Sequence, residues 1–420
     1  MGIYSLDSIS VRKESHMRKT LYIFSLCLLL IAPSYAIDLA LVSYDGNYYS
    51  YGGSEVAGKP VGSSDYYYTY KPFEQSLEIS FIEWLSDGAG GVYERPEIPT
   101  FYYSGITFDN MADEVMLDDN FLQNVADLRN QFDNWVVNNV SEIADLSVIG
   151  ISSAITKQHN IDIYNSVFGN AYFDEDKFSV WGTTLLNSMN KSGKYDFSAN
   201  GLGVVLGADL QLSDTVLVGA GYSYSNMDAD RNASDMLFDS NSLFLYSKWQ
   251  PNKFYLNAIV SYDFTDYEYA DGNFSNGNVS GLFASVFAGY NASSGISPEI
   301  GIRYTNIKLD QNSEYLKWSE SDFYSVVAGI NYERALGDFT LGGRVMIEYD
   351  MTQQSNKIGL DILDYKYIFE IDDTDRPLGA EFGLWAGYDV GLVDLKLQYD
   401  IRLRSDFVNH TGLLSIKYAF

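Results

Sequence analysis

The chain of 420 residues carries 56 acidic against 27 basic side chains, a net charge of −29, with 35 Tyr, 35 Gly, 8 Pro and one Cys. Such a charge argues against nucleic acid, whose affinity comes mostly from Lys and Arg on phosphates, and against lying on an anionic leaflet. The length allows one large barrel with a smaller domain, or two ordinary domains, and abundant Tyr with Gly favours strands.

Near the start, Met17, Arg18 and Lys19 precede the apolar run LYIFSLCLLLIA, which ends before Ser34, Tyr35 and Ala36. A basic head, an apolar core and small residues at its end form a secretory signal. Residues 1–36 are therefore expected to be a signal peptide with Met17 as the true start, and cleavage is expected after Ala36. The run is shorter than the ~18 residues of a spanning helix. Leu26 stands where a lipoprotein signal ahead of Cys27 would carry a small residue. With Cys27 removed, no disulfide framework or thiol chemistry remains.

Residues 37–110 read as a short N-terminal β-rich segment, with tyrosine clusters YDGNYYSYGG and SSDYYYTY. Candidate strands run from Leu77 to Trp84 and from Phe101 to Phe108, separated by SDGAGG and by Pro96 and Pro99. No repeat of solenoid length is present. The tyrosines, among them Tyr48 and Tyr67, are expected to pack a small sheet and its rim.

Between Met111 and Leu146 the period changes. Phe121, Val125, Leu128, Phe132, Trp135 or Val136, Val140, Ile143 and Leu146 recur every three or four residues, which predicts an amphipathic helix whose stripe needs a partner. That partner is either the N-terminal segment or another chain. Beyond Gly150, ISSAITKQHNIDIYNSVFGN is more polar and predicts a second, weaker helix. Residues 111–177 form a helical linker, and about twenty helical residues at ~1.5 Å each would cross a membrane-thick pore.

From Phe178 onward nearly everything alternates. Leu202, Val204, Leu206, Ala208, Leu210 and Leu212 oppose Gly201, Gly203, Gly207, Asp209 and Gln211. Val393, Leu395, Leu397, Tyr399, Ile401 and Leu403 oppose Asp394, Lys396, Gln398, Asp400, Arg402 and Arg404. So many charged and amide groups in one register suit a water-filled lumen, with the apolar face toward outer-membrane lipid. Twelve such segments begin near residues 178, 199, 214, 240, 252, 278, 296, 322, 338, 379, 392 and 410. The connections LSDT, QPNK, ASSG, ALGD and DVGL are short; those near 190, 230, 272, 315, 365 and 407 are mostly longer. Outer-membrane barrels sort their connections this way, short ones inside the periplasm and long ones outside. The fold class is thus an all-β membrane protein, a twelve-stranded antiparallel up-and-down transmembrane β-barrel over residues 178–420. The last segment, TGLLSIKYAF, puts Leu414, Ile416, Tyr418 and Phe420 on one face and ends on an aromatic, which resembles the C-terminal barrel-assembly signal.

Val180, Trp181 and Gly182, the stretch GLGVVLGADLQLSDTVLVGAGYSYSNMDAD over residues 201–230, and the closing hairpin with Phe420 resemble the autotransporter β-domain of type V secretion. The resemblance covers residues 178–420. It implies a twelve-stranded outer-membrane barrel inserted by the barrel-assembly machinery, with residues 37–110 as the passenger and 111–177 as the connecting region. It also implies entry through the secretion translocon. Two features depart from the family: the passenger is short and has no β-helix repeat, and Asn138-Asn139, the type of pair at which some members cleave themselves, stands far before Trp181. Those two asparagines read better as polar residues on a solvated helix face.

Of the three histidines, His16 precedes the expected cleavage point, His159 reads as a linker residue and His410 opens the last strand. No metal motif, catalytic elbow or nucleotide fingerprint is present, so no enzyme activity and no cofactor are expected. Gly201, Gly203 and Gly207 are expected to leave room for lumen side chains. The candidate site is the lumen itself: Asp209, Asp263, Glu299, Arg303, Arg344, Glu348, Asp389, Asp394, Lys396, Asp400, Arg402 and Arg404 are expected to point inward. There they would hydrate a pore or grip a polar linker. The expected function is an outer-membrane translocator that displays or secretes a short passenger. The alternatives are a passive channel with residues 37–177 as a periplasmic plug, and an adhesin. The adhesin would act through its outer loops, notably 351–378 with Asp361, Asp364, Glu370, Asp372, Asp373 and Asp375, on an unidentified host or surface ligand.

Overall fold

The computed structural model describes residues 64–86, 92–94, 100–115, 119–173 and most of 177–420, with short strands at 41–45, 55–56 and 59–60. Within the last range, 194–195, 232–234, 271–275, 293, 312–315, 353–356 and 371–376 lie outside the described residues. The expected signal peptide with Ala36, and the position of Tyr48, also lie outside them. The chain divides into two units, residues 1–132 and 133–420.

In the first unit, strands Leu41–Asp45, Ser64–Lys71, Ser76–Ser86 and Val92–Glu94 form an antiparallel sheet, and Thr100–Ser104 pairs with Ser76–Ser86 as well. The second tyrosine cluster thus forms a central strand. Tyr68 and Tyr70 are fully buried, and the Tyr70 hydroxyl donates to the Ile106 carbonyl at 2.9 Å. The strand expected over Phe101–Phe108 ends at Ser104, because Gly105 takes φ +74° and the chain turns there. Ile106 and Phe108 are then buried, the Phe108 ring 4.8 Å from that of Tyr70.

The helix expected over 111–146 is one short turn, Met111–Glu114, followed by α1, Asp119–Ile143. Asn139 interrupts α1 with φ −126° and ψ 21°, and its side-chain amide donates to the Trp135 carbonyl at 2.9 Å. The apolar stripe finds a partner within the first unit: Phe132 packs against Phe73 and Phe108, at 5.8 and 5.5 Å between ring centroids. Leu128 is buried there too, and Arg129 lies over the Phe108 ring.

In the second unit, twelve antiparallel strands close into a barrel. They are β1 Phe178–Lys191, β2 Phe197–Ser213, β3 Val216–Asp230, β4 Met236–Trp249, β5 Phe254–Tyr269 and β6 Gly277–Tyr290. The remaining six are β7 Ile296–Gln311, β8 Ser321–Leu336, β9 Phe339–Asp350, β10 Leu378–Asp389, β11 Val393–Leu403 and β12 Phe407–Ala419. Closure pairs β12 with β1, from Tyr418 with Val180 to Phe407 with Lys191.

Side chains alternate as the pleat requires. On β12, Leu414, Ile416, Tyr418 and Phe420 are 58, 54, 37 and 61% exposed, whereas Leu413, Ser415, Lys417 and Ala419 are buried. Similar outward rows run through Leu202, Leu206 and Leu210 and through Leu395, Leu397 and Tyr399. A continuous apolar band of this kind is unsuited to water and fits hydrocarbon. Strands of 11 to 17 residues reach or exceed the ~9–11 that cross a bilayer, so most extend beyond it.

Glycines let aromatic rings lie close across the inner wall at several places, two of them tryptophans. A Cβ on Gly207 would fall 2.2 Å from the Trp181 ring, and one on Gly342 would fall 2.1 Å from Trp385. The short connections cluster at the end that also holds Phe178 and Phe420, whose backbones join through Phe420 N–H to the Phe178 carbonyl at 3.0 Å. Of the opposite connections, the one from Arg404 to Asp406 is itself short and those at 192–196 and 231–235 only equal the connection at 291–295, so the sorting by length rests on the other three of six.

Candidate functional site

The lumen is filled by α2, Ser147–Asn170, in which 19 of 24 residues are buried. At ~1.5 Å per residue it is about 36 Å long, enough to traverse the ~30 Å hydrocarbon layer. This is the helix expected to be the weaker one. It carries no apolar stripe because every face meets a barrel wall, and its composition changes along its length instead.

The axis has a direction. At the long-loop end, Asp145 pairs with Arg231, in the β3–β4 connection, at 2.8 Å. Asp145 also accepts from the Ser147 N–H and hydroxyl, closing the first turn. At the short-turn end, three lysines of the wall donate to the last carbonyls: Lys396 to Gly169 at 3.4 Å, Lys417 to Asn170 at 3.0 Å and Lys248 to Ala171 at 3.0 Å. The final carbonyls of a helix lack intrahelical partners and carry partial negative charge, so cations satisfy them twice over. Lys417 also sits 3.4 Å from the Tyr172 ring centroid, and the Tyr172 hydroxyl bonds Asp394.

Midway, polar side chains of α2 meet strands β12 and β1 to β5. His159, expected to be a linker residue, bonds Ser242 through Nε2 at 3.0 Å and Ser225 through Nδ1 at 3.1 Å. Asn160 donates to Asp263 at 2.5 Å and accepts from the Ser261 hydroxyl at 2.5 Å. Asp162 accepts from Gln158 at 2.8 Å, Asn187 at 2.8 Å and Thr411 at 3.3 Å. Toward the short-turn end, Ile163, Tyr164 and Val167 enter an apolar cluster with Trp181, Phe244, Phe283 and Phe287.

Across the lumen, β7 to β11 carry a ladder of alternating charge. Arg303 bonds Glu381 at 2.5 Å and lies 3.6 Å from Glu348; Arg402 donates to Glu348 at 2.7 Å; Arg404 pairs with Asp350. Arg344 donates to Asp400 at 2.8 Å and to the Asn165 side chain of α2 at 2.5 Å. Buried charges are tolerated when paired in this way, and four arginines face four carboxylates here.

The remaining sequence-derived candidates fall as follows. Asp209 is buried and bonds the Trp181 indole N–H and the Tyr246 hydroxyl, and Glu299 accepts from Tyr255 at 2.7 Å. Asp263 holds Asn160. Asp389 differs: it is exposed at the end of β10, where it accepts from the Gly391 N–H of the following turn at 2.7 Å. His410 faces outward and bonds the Tyr399 hydroxyl at 2.7 Å. Glu381, Lys417, Lys248, His159 and Asp162 were not among the candidates. Only Lys417 had a clear signal, its place in the inward register of β12.

Outside the barrel, Leu316–Trp318, Lys357–Ile362 and Tyr365–Glu370 form a small sheet from two outer loops. Asp361 and Asp364 of the acidic loop lie on or beside it; Asp372, Asp373 and Asp375 lie outside the described residues. The Asp364 carboxylate, 2.6 Å from Lys317, raises that ammonium above its ordinary pKa. Among the described residues no His, Cys, Asp or Glu group is arranged to hold a metal, and no helix is long and apolar enough to cross a membrane.

The family described as autotransporter beta-domain matches residues 180–400. Among solved structures, the translocator domain of autotransporter NalP from Neisseria meningitidis is similar at 17% identity and a TM-score of 0.53, covering 64% of this chain and 98% of that one. The transport unit of AIDA-I from Escherichia coli aligns at 12% identity and a TM-score of 0.45, over 62% and 97% of the two chains. An outer-membrane channel from Pseudomonas putida F1 gives 12%, 0.42, 60% and 97%. No curated protein matches in sequence.

Proposed function

This chain belongs to the autotransporter β-domain family, translocator barrels of the Gram-negative outer membrane, and on that premise we propose that it anchors its own N-terminal segment at the cell surface. The observation that carries the reading is the direction of α2. Its first turn lies with Arg231 among the long loops, and its last turn is held by Lys248, Lys396 and Lys417 among the short turns. With short turns in the periplasm, the chain ahead of α2 leaves the barrel on the outside. Residues 37–110 are then the displayed passenger, and α2 is at once the tether and the stopper.

The lumen residues have a physical role in this reading. Asp263, Asp400, Arg344, Lys396 and Lys417 grip α2, while the ladder of Arg303, Arg402 and Arg404 with Glu348, Asp350 and Glu381 keeps the opposite wall neutral and closed. Outer-membrane lipid surrounds the apolar band. The barrel-assembly machinery reads Leu414, Ile416, Tyr418 and Phe420, and the secretion translocon reads the signal ending at Ala36. A passive channel is disfavoured because the helix occupies the path that solutes would take.

The test is protease treatment of intact cells carrying one epitope tag beside Gly52 and another within residues 353–356. Cleavage of both tags is expected. Cleavage of the loop tag alone places the N-terminal segment in the periplasm and ends the display reading.

A further inference from the structure

The N-terminal sheet buries one face and leaves the other in contact with water. Tyr68, Tyr70, Leu77 and Ile79 point inward, so the pleat turns their chain neighbours outward. Across Ser64–Lys71, Ser76–Ser86 and Thr100–Ser104 the outward residues form two rungs, Thr69 with Glu78 and Tyr102, and Lys71 with Ser76 and Ser104. They line a groove of about 430 Å³, a size common among ligand clefts.

The groove is short of positive charge. Lys71, the one cation in its lining, is held by Glu74 at 3.3 Å, and Glu74 also accepts from the Ser76 hydroxyl at 3.4 Å. Glu78 has neither a cation nor a hydrogen-bond donor on its carboxylate among the described residues. Its cross-strand neighbour Tyr102 is 77% exposed, and among the described residues its ring meets no other ring. Residues directly opposite on paired strands stand about 4.5–5.5 Å apart between Cβ atoms, so an unpaired carboxylate and a bare aromatic face adjoin. The surrounding segment has the same sign: residues 37–110 carry eleven acidic side chains against three basic ones.

We propose that this groove captures an arginine side chain of a partner protein. A guanidinium is planar, so its edge donates to a carboxylate while its face stacks on a ring, and Glu78 and Tyr102 offer those two groups side by side. The hydroxyls of Thr69 and Ser104 accept from the N–H groups left over. A lysine ammonium pairs with the carboxylate but has no flat face for the ring. An anion would meet Glu74 and Glu78, and an apolar ligand would strip water from Glu78 with nothing in return. Where such a partner is met rests on the display reading above; capture itself does not depend on the orientation of the barrel.

The experiment is fluorescence anisotropy, at low ionic strength, of the full chain purified in detergent with the labelled, capped pentapeptide Gly-Arg-Gly-Arg-Gly and its lysine and glutamate counterparts. Saturable binding of the arginine peptide is expected, weaker binding of the lysine peptide and none of the glutamate peptide. Glu78→Gln is expected to weaken arginine binding about tenfold and Tyr102→Ala about threefold, the scales of a charge-assisted hydrogen bond and of an exposed cation–π contact. Tyr102→Phe, which keeps the ring, should bind within about twofold of the parent. Asp214→Asn, which removes one charge from the exposed β2–β3 turn, should bind like the parent. Arginine capture is overturned if the parent does not bind the arginine peptide, if the lysine peptide binds equally well, or if Asp214→Asn weakens binding as much as Glu78→Gln, since the acidity of the whole chain would then be responsible. A periplasmic N-terminal tag would end the display reading and leave these titrations unchanged.

Discussion

The two walls of the lumen hold by different means. From β12 through β1 to β5, the inner face offers hydroxyls and amides, such as Thr411, Asn187, Ser225, Ser242 and Ser261, and these reach the helix. From β7 to β11 it offers arginines and carboxylates, which reach mainly one another. A buried charge is satisfied first by an opposite charge, so the ladder closes on itself and gives α2 chiefly the Arg344 and Asp400 contacts with Asn165. One wall keeps the barrel closed, and the other keeps the helix in place.

The largest effect should come from cutting the charged wall. Arg303→Ala leaves Glu381 and Glu348 short of a partner and is expected to cost about 3–5 kcal/mol. A lowered thermal transition of the purified barrel would register it; Arg303→Met combined with Glu381→Met should recover much of the loss. If Arg303→Ala melts like the parent, the ladder is not what holds this wall.

Next comes the hydroxyl wall. Asp162→Ala takes the carboxylate acceptor from Asn187 and Gln158, while Thr411 keeps its bond to Asn187, costing about 1–3 kcal/mol at the helix. Planar-bilayer recordings should show more frequent openings while the melting transition of the barrel stays near that of the parent. A lowered transition with no new openings would erase the distinction between the walls. A smaller change is expected for Lys417→Met, which removes one of three cations from the helix end, about 0.3–1 kcal/mol. It should produce openings less often than Asp162→Ala. Smallest of all is Lys317→Ala, in the exposed loop pair with Asp364, for which no measurable change in melting or conductance is expected.

How far these features could be read from the residues differs from wall to wall. The ladder was mostly visible, because Arg303, Arg344, Glu348, Asp400, Arg402 and Arg404 sit on alternating strands whose other face is apolar. Glu381 escaped notice: in LGAEFGLWAGYD the small residues Gly379, Ala380, Gly383 and Gly387 blur the alternation around it. The partners of the hydroxyl wall were less visible still. α2 shows no contrast between faces, since amphipathicity marks a helix with one wet side and this one has none. His159, Asn160 and Asp162 therefore read as a polar connector.

The sequence by itself determined the number of strands, which face of each meets lipid, and the order of short and long connections. These are local properties, because Cβ alternation and turn chemistry act over a few residues. Tertiary structure alone decided that the second helix, and not the amphipathic first, fills the lumen, and which buried groups meet there. Closure brings Asp162 against Thr411, 249 residues away, and Asn160 against Asp263, 103 residues away. Such pairs depend on the stagger of the strands around the whole ring, a quantity that no short stretch of sequence contains.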